Sequence, residues 1–134
     1  MTDMELVDIA VKAMERSYAP YSHFNVGAAL LGKSGKVYSG CNVENASYGA
    51  CNCAERTAVF KAVSEGEREF KAIAIVGGKD ARINDFCAPC GICRQVLSEF
   101  AVSELAVILY NGTKAERYTL GSLLPMSFSS DDMK

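Results

Sequence analysis

Two short clusters constrain this chain more than anything else in it: Cys53-Ala54-Glu55 and Pro89-Cys90-Gly91-Ile92-Cys93. Cys90 and Cys93 stand three residues apart, so at a helix start both sulfurs face one side and reach a single ion. A third thiolate from Cys53 can join them only if the fold brings the beginnings of two separate helices together. Zinc held by three protein ligands keeps a fourth position for water and is catalytic, whereas a fourth protein ligand closes the site and makes it structural.

The rest of the sequence narrows the setting. The 134 residues fit one domain, residues 1–134, and 49% hydrophobic with 22% charged residues is the composition of an ordinary globule. Fourteen basic residues face sixteen acidic ones, net −2, which speaks against a partner gripped through its phosphates; no nucleic acid is expected. No apolar run has the length of a membrane span, and Met1-Thr2-Asp3-Met4-Glu5 is acidic where a signal peptide would be positive. The expectation is a cytoplasmic protein without membrane contact, whose six cysteines serve metal binding or catalysis rather than disulfides.

Periodicity predicts an amphipathic helix over about 2–17, with Leu6, Ile9, Ala10, Ala13 and Met14 on one face and Thr2 and Glu5 forming a capping box. Residues 24–31 and 36–43, separated by Gly32-Lys33-Ser34-Gly35, read as a β-hairpin. Residues 53–64 read as a buried helix with Ala54, Ala58 and Ala62 in one row. A core strand over 70–76, a helix over 90–100, a core strand over 105–110 and an edge strand over 116–119 follow, with Leu123-Leu124-Pro125 expected to close regular structure before a polar tail. Strands alternating with helices imply a layered α/β domain.

Glu55 is two residues from Cys53, and such positions do not share a helix face. Cys53 is therefore expected at or before the first turn, with Glu55 free to lean over the metal without ligating it. Three His/Cys ligands, a glutamate outside the ligand set and a downstream Pro-Cys-x-x-Cys form the zinc signature of nucleobase deaminases. Three thiolates leave the divalent ion with a net charge near −1, which calls for compensation. Two helix N-termini and the guanidinium groups of Arg56 and Arg94 are the candidates, Arg56 for the sulfurs and Arg94 mainly for structure. Alternatives stay open at this point. A Cys-x-x-Cys pair also suits a redox or structural zinc protein, and Cys87 or Cys51 can supply a fourth ligand. Cys41 and Cys51 read best as buried small apolar residues, and His23 as a loop residue without a catalytic role.

With these residues in place, the chain resembles the small homotetrameric cytidine deaminases along nearly its whole length. The segments that carry the resemblance are Tyr21 to Leu30 (YSHFNVGAAL), Gly40 to Tyr48 (GCNVENASY), Cys53 to Thr57 (CAERT), Pro89 to Val96 (PCGICRQV) and Leu123 to Phe128 (LLPMSF). The resemblance implies a three-layer α/β/α sandwich around a mixed sheet of about five strands, and one zinc per subunit. It implies hydrolytic deamination of cytidine, and of 2'-deoxycytidine, in pyrimidine salvage, with Glu55 carrying the protons. Asn42 and Glu44 would bind the region of the ribose 3'-hydroxyl, and Phe24 would pack on the pyrimidine. Ala46, Tyr48 and Ala54 would join the nucleoside site, with Phe128 from a neighbouring subunit covering the base. Active sites would then be shared between subunits. The rival within the class is a deaminase of another aminopyrimidine nucleoside such as blasticidin S.

Overall fold

The computed structural model describes residues 1–134. Helix α1 spans Asp3–Met14, and the Thr2 side chain caps it by accepting from the Glu5 N–H at 3.1 Å. The reciprocal half of the expected capping box is replaced: the Thr2 hydroxyl donates to the Glu5 carboxylate at 3.3 Å. Strands β1 (Phe24–Gly32) and β2 (Val37–Cys41) form the antiparallel hairpin. Then come α2 (Ala54–Ser64), β3 (Phe70–Lys79), α3 (Gly91–Phe100), β4 (Ala106–Tyr110) and β5 (Ala115–Thr119).

The five strands lie in the order β2-β1-β3-β4-β5, antiparallel except for the β3–β4 pair, which α3 connects by a crossover. The sheet is mixed and covered on both faces. Successive residues of a strand point to opposite sides, and the core divides accordingly. Leu30, Ile73, Ile75, Val107 and Leu109 meet Ala54, Ala58, Val59, Ala62 and Leu97 from α2 and α3. Ala29, Ala72, Ala74, Val76, Ala106 and Ile108 meet Leu6, Val7, Ala10 and Met14 of α1 on the other face. Residues 72–76 and 106–109 read as continuous apolar runs because neither face is left to water.

Two glycines set the distance between layers. A Cβ on Gly27 of β1 would lie 2.0 Å from the Ala10 carbonyl oxygen of α1. A Cβ on Gly40 of β2 would lie 2.5 Å from the Ala54 carbonyl oxygen and 2.6 Å from the Ala58 nitrogen of α2. The first turn of α2 therefore rests directly on the β2 backbone.

Three expectations need correction. Regular structure does not end at Leu123-Leu124-Pro125: a four-residue helix α4 covers Leu120–Leu123, and a 3-10 turn at Ser130–Met133 is closed by a Ser129–Asp132 capping box. The strand expected over 36–43 ends at Cys41, which leaves Asn42 just past β2, because Val43 leaves the hairpin ladder to bridge Tyr18 and Asn52. Cys41 and Cys51 are only half-buried. The Cys51 sulfur has a polar task, accepting from the Asn45 N–H at 3.3 Å in the loop that follows.

Candidate active site

Cys53 and Cys90 occupy equivalent places, each the N-cap residue of its helix in an extended conformation, with φ/ψ of −75°/156° and −67°/167°. Their carbonyls open the helical ladders, accepting from Thr57 and Arg94 at 3.0 Å. Their side chains make no cap hydrogen bond to the backbone. The helix N-termini thus leave both sulfurs free beside unpaired N–H groups, where the positive ends of the dipoles favour negative charge. Cys93, in the first turn of α3, is fully buried.

The Cys53 and Cys90 sulfurs are 3.8 Å apart and those of Cys90 and Cys93 3.5 Å, and all three lie within 4.8 Å of one another. Two sulfurs on a tetrahedral zinc, with bonds of roughly 2.3 Å, are about 3.8 Å apart. The donor set fits one zinc ion held by Cys53, Cys90 and Cys93. Cys87, the candidate fourth ligand, stands outside this cluster. Its thiol is pushed up to about 12, by burial first and then by the negative charge of Glu55 and Cys53, so it stays protonated.

One of the two candidate arginines meets a sulfur. Arg56 Nη2 donates to Cys53 Sγ at 3.3 Å. The Cys53 thiol is lowered to about 5, chiefly by its hydrogen bond with Cys93, with Arg56 and Cys90 adding to it against the cost of burial. The same bond, with burial, raises the Cys93 thiol. Arg56 Nε is buried without a partner, and the hydrogen bond of this guanidinium goes to the Cys53 sulfur, not to a carboxylate. Arg94 does not reach sulfur: it donates to the carbonyls of Pro89 and Leu123, both at 2.7 Å, and ties α3 to α4.

Glu55 sits in the first turn of α2, 4% exposed, on the wall of a cavity of about 280 Å³. Burial raises its carboxyl to about 7, and the Cys53 charge adds to the effect. A carboxyl poised near neutrality both takes and gives a proton. Cys53 and Cys90 line the same cavity as Glu55, together with Ala54, Cys87 and Ala88. Phe24 (42% exposed), Val26, Asn42 and Glu44 line the remainder. A concave, mostly apolar pocket with a few polar groups is the usual form of a small-molecule site.

Of the residues expected in the nucleoside site, Phe24, Asn42, Glu44 and Ala54 are brought together on this cavity. Ala46, Tyr48 and Phe128 are not. Tyr48 is 74% exposed on a 3-10 turn, edge-on to Tyr21 with ring centroids 6.0 Å apart. Phe128 is 60% exposed, its carbonyl accepting from Gln95 Nε2 at 2.8 Å. Sequence reasoning missed Ser22, Val26 and Asn52 on the cavity wall. Ser22 holds Glu44, whose carboxyl its hydroxyl lowers, and Asn52 Nδ2 donates to Thr57 Oγ1 at 3.1 Å. Only the adjacency of Ser22 to Phe24 in the quoted block could have signalled the first of these.

Comparison with known proteins agrees with this geometry. Residues 1–109 match the family described as the cytidine and deoxycytidylate deaminase zinc-binding region. A cytidine deaminase of Sporosarcina psychrophila is 48% identical over 130 residues, covering 96% of this chain and 93% of that protein. The crystal structure of the cytidine deaminase from Burkholderia pseudomallei superposes with a TM-score of 0.88 at 50% identity, over 96% of this chain and 100% of that one. A blasticidin-S deaminase of Bacillus cereus is more distant, 31% identical over 131 residues. Three thiolates at two helix N-termini, a buried glutamate beside them and a full-length match of sequence and fold all converge: the chain belongs to the cytidine and deoxycytidylate deaminase family.

Proposed function

We propose that this protein catalyses the hydrolytic deamination of free cytidine and 2'-deoxycytidine, releasing ammonia and the uracil nucleoside. The single observation that carries the reading is Glu55: a carboxyl buried in the first turn of α2, on the wall of the cavity that Cys53 and Cys90 also line. A closed structural zinc site would need a fourth protein ligand, and Cys87 stands outside the cluster of three.

Cys53, Cys90 and Cys93 would hold the zinc, which when bound would supply Lewis acidity for activating a water molecule at neutral pH. Glu55 accepts the proton of that water and delivers it to N3 of the base, which makes C4 electrophilic. As the water oxygen bonds to C4, Glu55 moves the second proton to the exocyclic amine, which leaves as ammonia. The Arg56 guanidinium and the helix N-termini draw negative charge off the sulfurs, which keeps the ion acidic enough for this task. Phe24 offers a flat apolar surface to the pyrimidine, and Asn42 and Glu44 offer hydrogen bonds to the sugar.

The assembly belongs to the same reading: a homotetramer of cytoplasmic pyrimidine salvage in which Phe128 and Tyr48 complete a neighbouring subunit's site. The exposure of both rings supports it, since large aromatic side chains left in water are typical of an interface. Cytidine is favoured over blasticidin S by the higher identity to cytidine deaminases, 48% against 31%. An ammonia-release assay on cytidine, deoxycytidine and blasticidin S, with zinc measured in the same preparation, tests the proposal. One zinc per chain with turnover of the two nucleosides is expected. A zinc-loaded protein inert towards both would overturn it.

A further inference from the structure

Asn42 is buried and almost fully employed by the protein. Its Oδ1 accepts from the backbone N–H of Val26 at 2.9 Å and from the Ser17 hydroxyl. Its Nδ2 donates to the Phe24 carbonyl at 2.8 Å. The oxygen is thereby spent, and one Nδ2 hydrogen has no protein partner at a residue that lines the cavity. The Ser17 hydroxyl has its direction imposed in turn. Asn25 Nδ2 donates to Ser17 Oγ at 3.1 Å, so the single Ser17 proton is sent on to Asn42. Neither Ser17 nor Asn25 lines the cavity.

Glu44 is prepared in the opposite sense. Its Oε1 accepts from the Tyr21 and Ser22 N–H groups, both at 3.0 Å, and its Oε2 from the Ser22 hydroxyl, which together hold it ionised and purely an acceptor. One donor and one acceptor on one cavity suit a group that does both. A hydroxyl does; an ether cannot donate and an ammonium cannot accept.

We propose that Ser17 and Asn25 are positioning residues for nucleoside binding, a one-way hydrogen-bond chain that locks the Asn42 amide so that it offers the cavity a single donor, matched with Glu44 to a sugar hydroxyl. This rests on the deaminase reading and adds residues outside the cavity wall to it. The β1 backbone decides which end of the amide is oxygen; the Ser17–Asn25 chain holds the amide against rotation and couples it to the end of α1.

The test is steady-state kinetics of the parent, Ser17→Ala and Asn25→Asp on cytidine and on 3'-deoxycytidine, which lacks the hydroxyl. The aspartate keeps the volume of Asn25 but draws the Ser17 proton to itself. On cytidine the KM of both variants should rise roughly three- to tenfold, the worth of one hydrogen bond. The kcat should stay within about twofold, as for an interaction made equally in ground and transition states. On 3'-deoxycytidine both variants should match the parent, and Ser17→Thr, which restores the hydroxyl, should return the parental KM on cytidine. A penalty equal on both substrates, a fall in kcat, or no change overturns the proposal, whatever the melting temperatures. A parent that turns over cytidine but treats 3'-deoxycytidine alike overturns it while the deaminase reading stands. A zinc-loaded parent inert on cytidine overturns both.

Discussion

Replacing Glu55 with Gln keeps the shape and the buried position of the side chain while removing the proton carrier. Zinc content of that variant should equal the parent's, and turnover should fall by about two to four orders of magnitude, the range for a lost general acid–base. Cys87→Ala makes the complementary point: with Cys87 outside the sulfur cluster, metal analysis should still find one zinc per chain. Glu44 gives a pH prediction with a definite sign. Hydrogen bonds from Ser22 and Tyr21 hold its carboxyl below the ordinary value of 4.5, so the ionised acceptor persists into acid. The part of the uridine affinity that depends on Glu44, measured by calorimetry as the difference between the parent and Glu44→Gln, should stay level from neutrality down to about pH 5 and shrink only below the ordinary carboxylate range. That Cys53, Cys90 and Cys93 gather was legible from their spacing at two helix starts, while the choice among a catalytic, a structural and a redox site was not, since Cys87 and Cys51 had equal claim to a fourth place until the chain was folded. Ser17, Ser22 and Asn25 were not legible: a polar residue near a strand end carries no mark of its partner until the chain is folded.

The elements were read nearly to their ends from hydrophobic period and turn residues, and the departures have physical causes. Val43 falls within the 36–43 run that reads as a strand, yet it bridges Tyr18 and Asn52, beside Asn42 and Glu44 on the cavity. The tail lacked hydrophobic period, yet Ser129 and Asp132 satisfy each other's backbone donors and close a short turn. Packing between elements yields a paired prediction. Gly27→Ala drives a methyl into the α1 backbone and Gly40→Ala drives one into the α2 backbone. Each should cost about 1–3 kcal/mol or more, seen as a lower melting temperature. Zinc content separates them: Gly40→Ala displaces the turn that carries Cys53 and Glu55 and should lower it, while Gly27→Ala acts on the opposite face and should not.

For the whole molecule, the exposed rings of Phe128 and Tyr48 bear on assembly. If Phe128 serves a neighbour's site, mixing Glu55→Gln with Phe128→Ala subunits creates some sites with both groups intact. Activity of the mixture should exceed the sum of the two separate preparations, and strict additivity would place Phe128 outside any shared site. The layered α/β class was legible in the sequence because a strand covered on both faces must be apolar at every position, as 72–76 and 106–109 are. The gathering of the thiols was legible because thiols that ligate together must be spaced to reach one ion. Tertiary structure alone decided that α2 and α3 start side by side, that Cys87 falls outside the cluster, and that Asn42 and Glu44 are finished as donor and acceptor. Those outcomes depend on contacts between residues far apart in the chain, and local periodicity carries no record of such contacts.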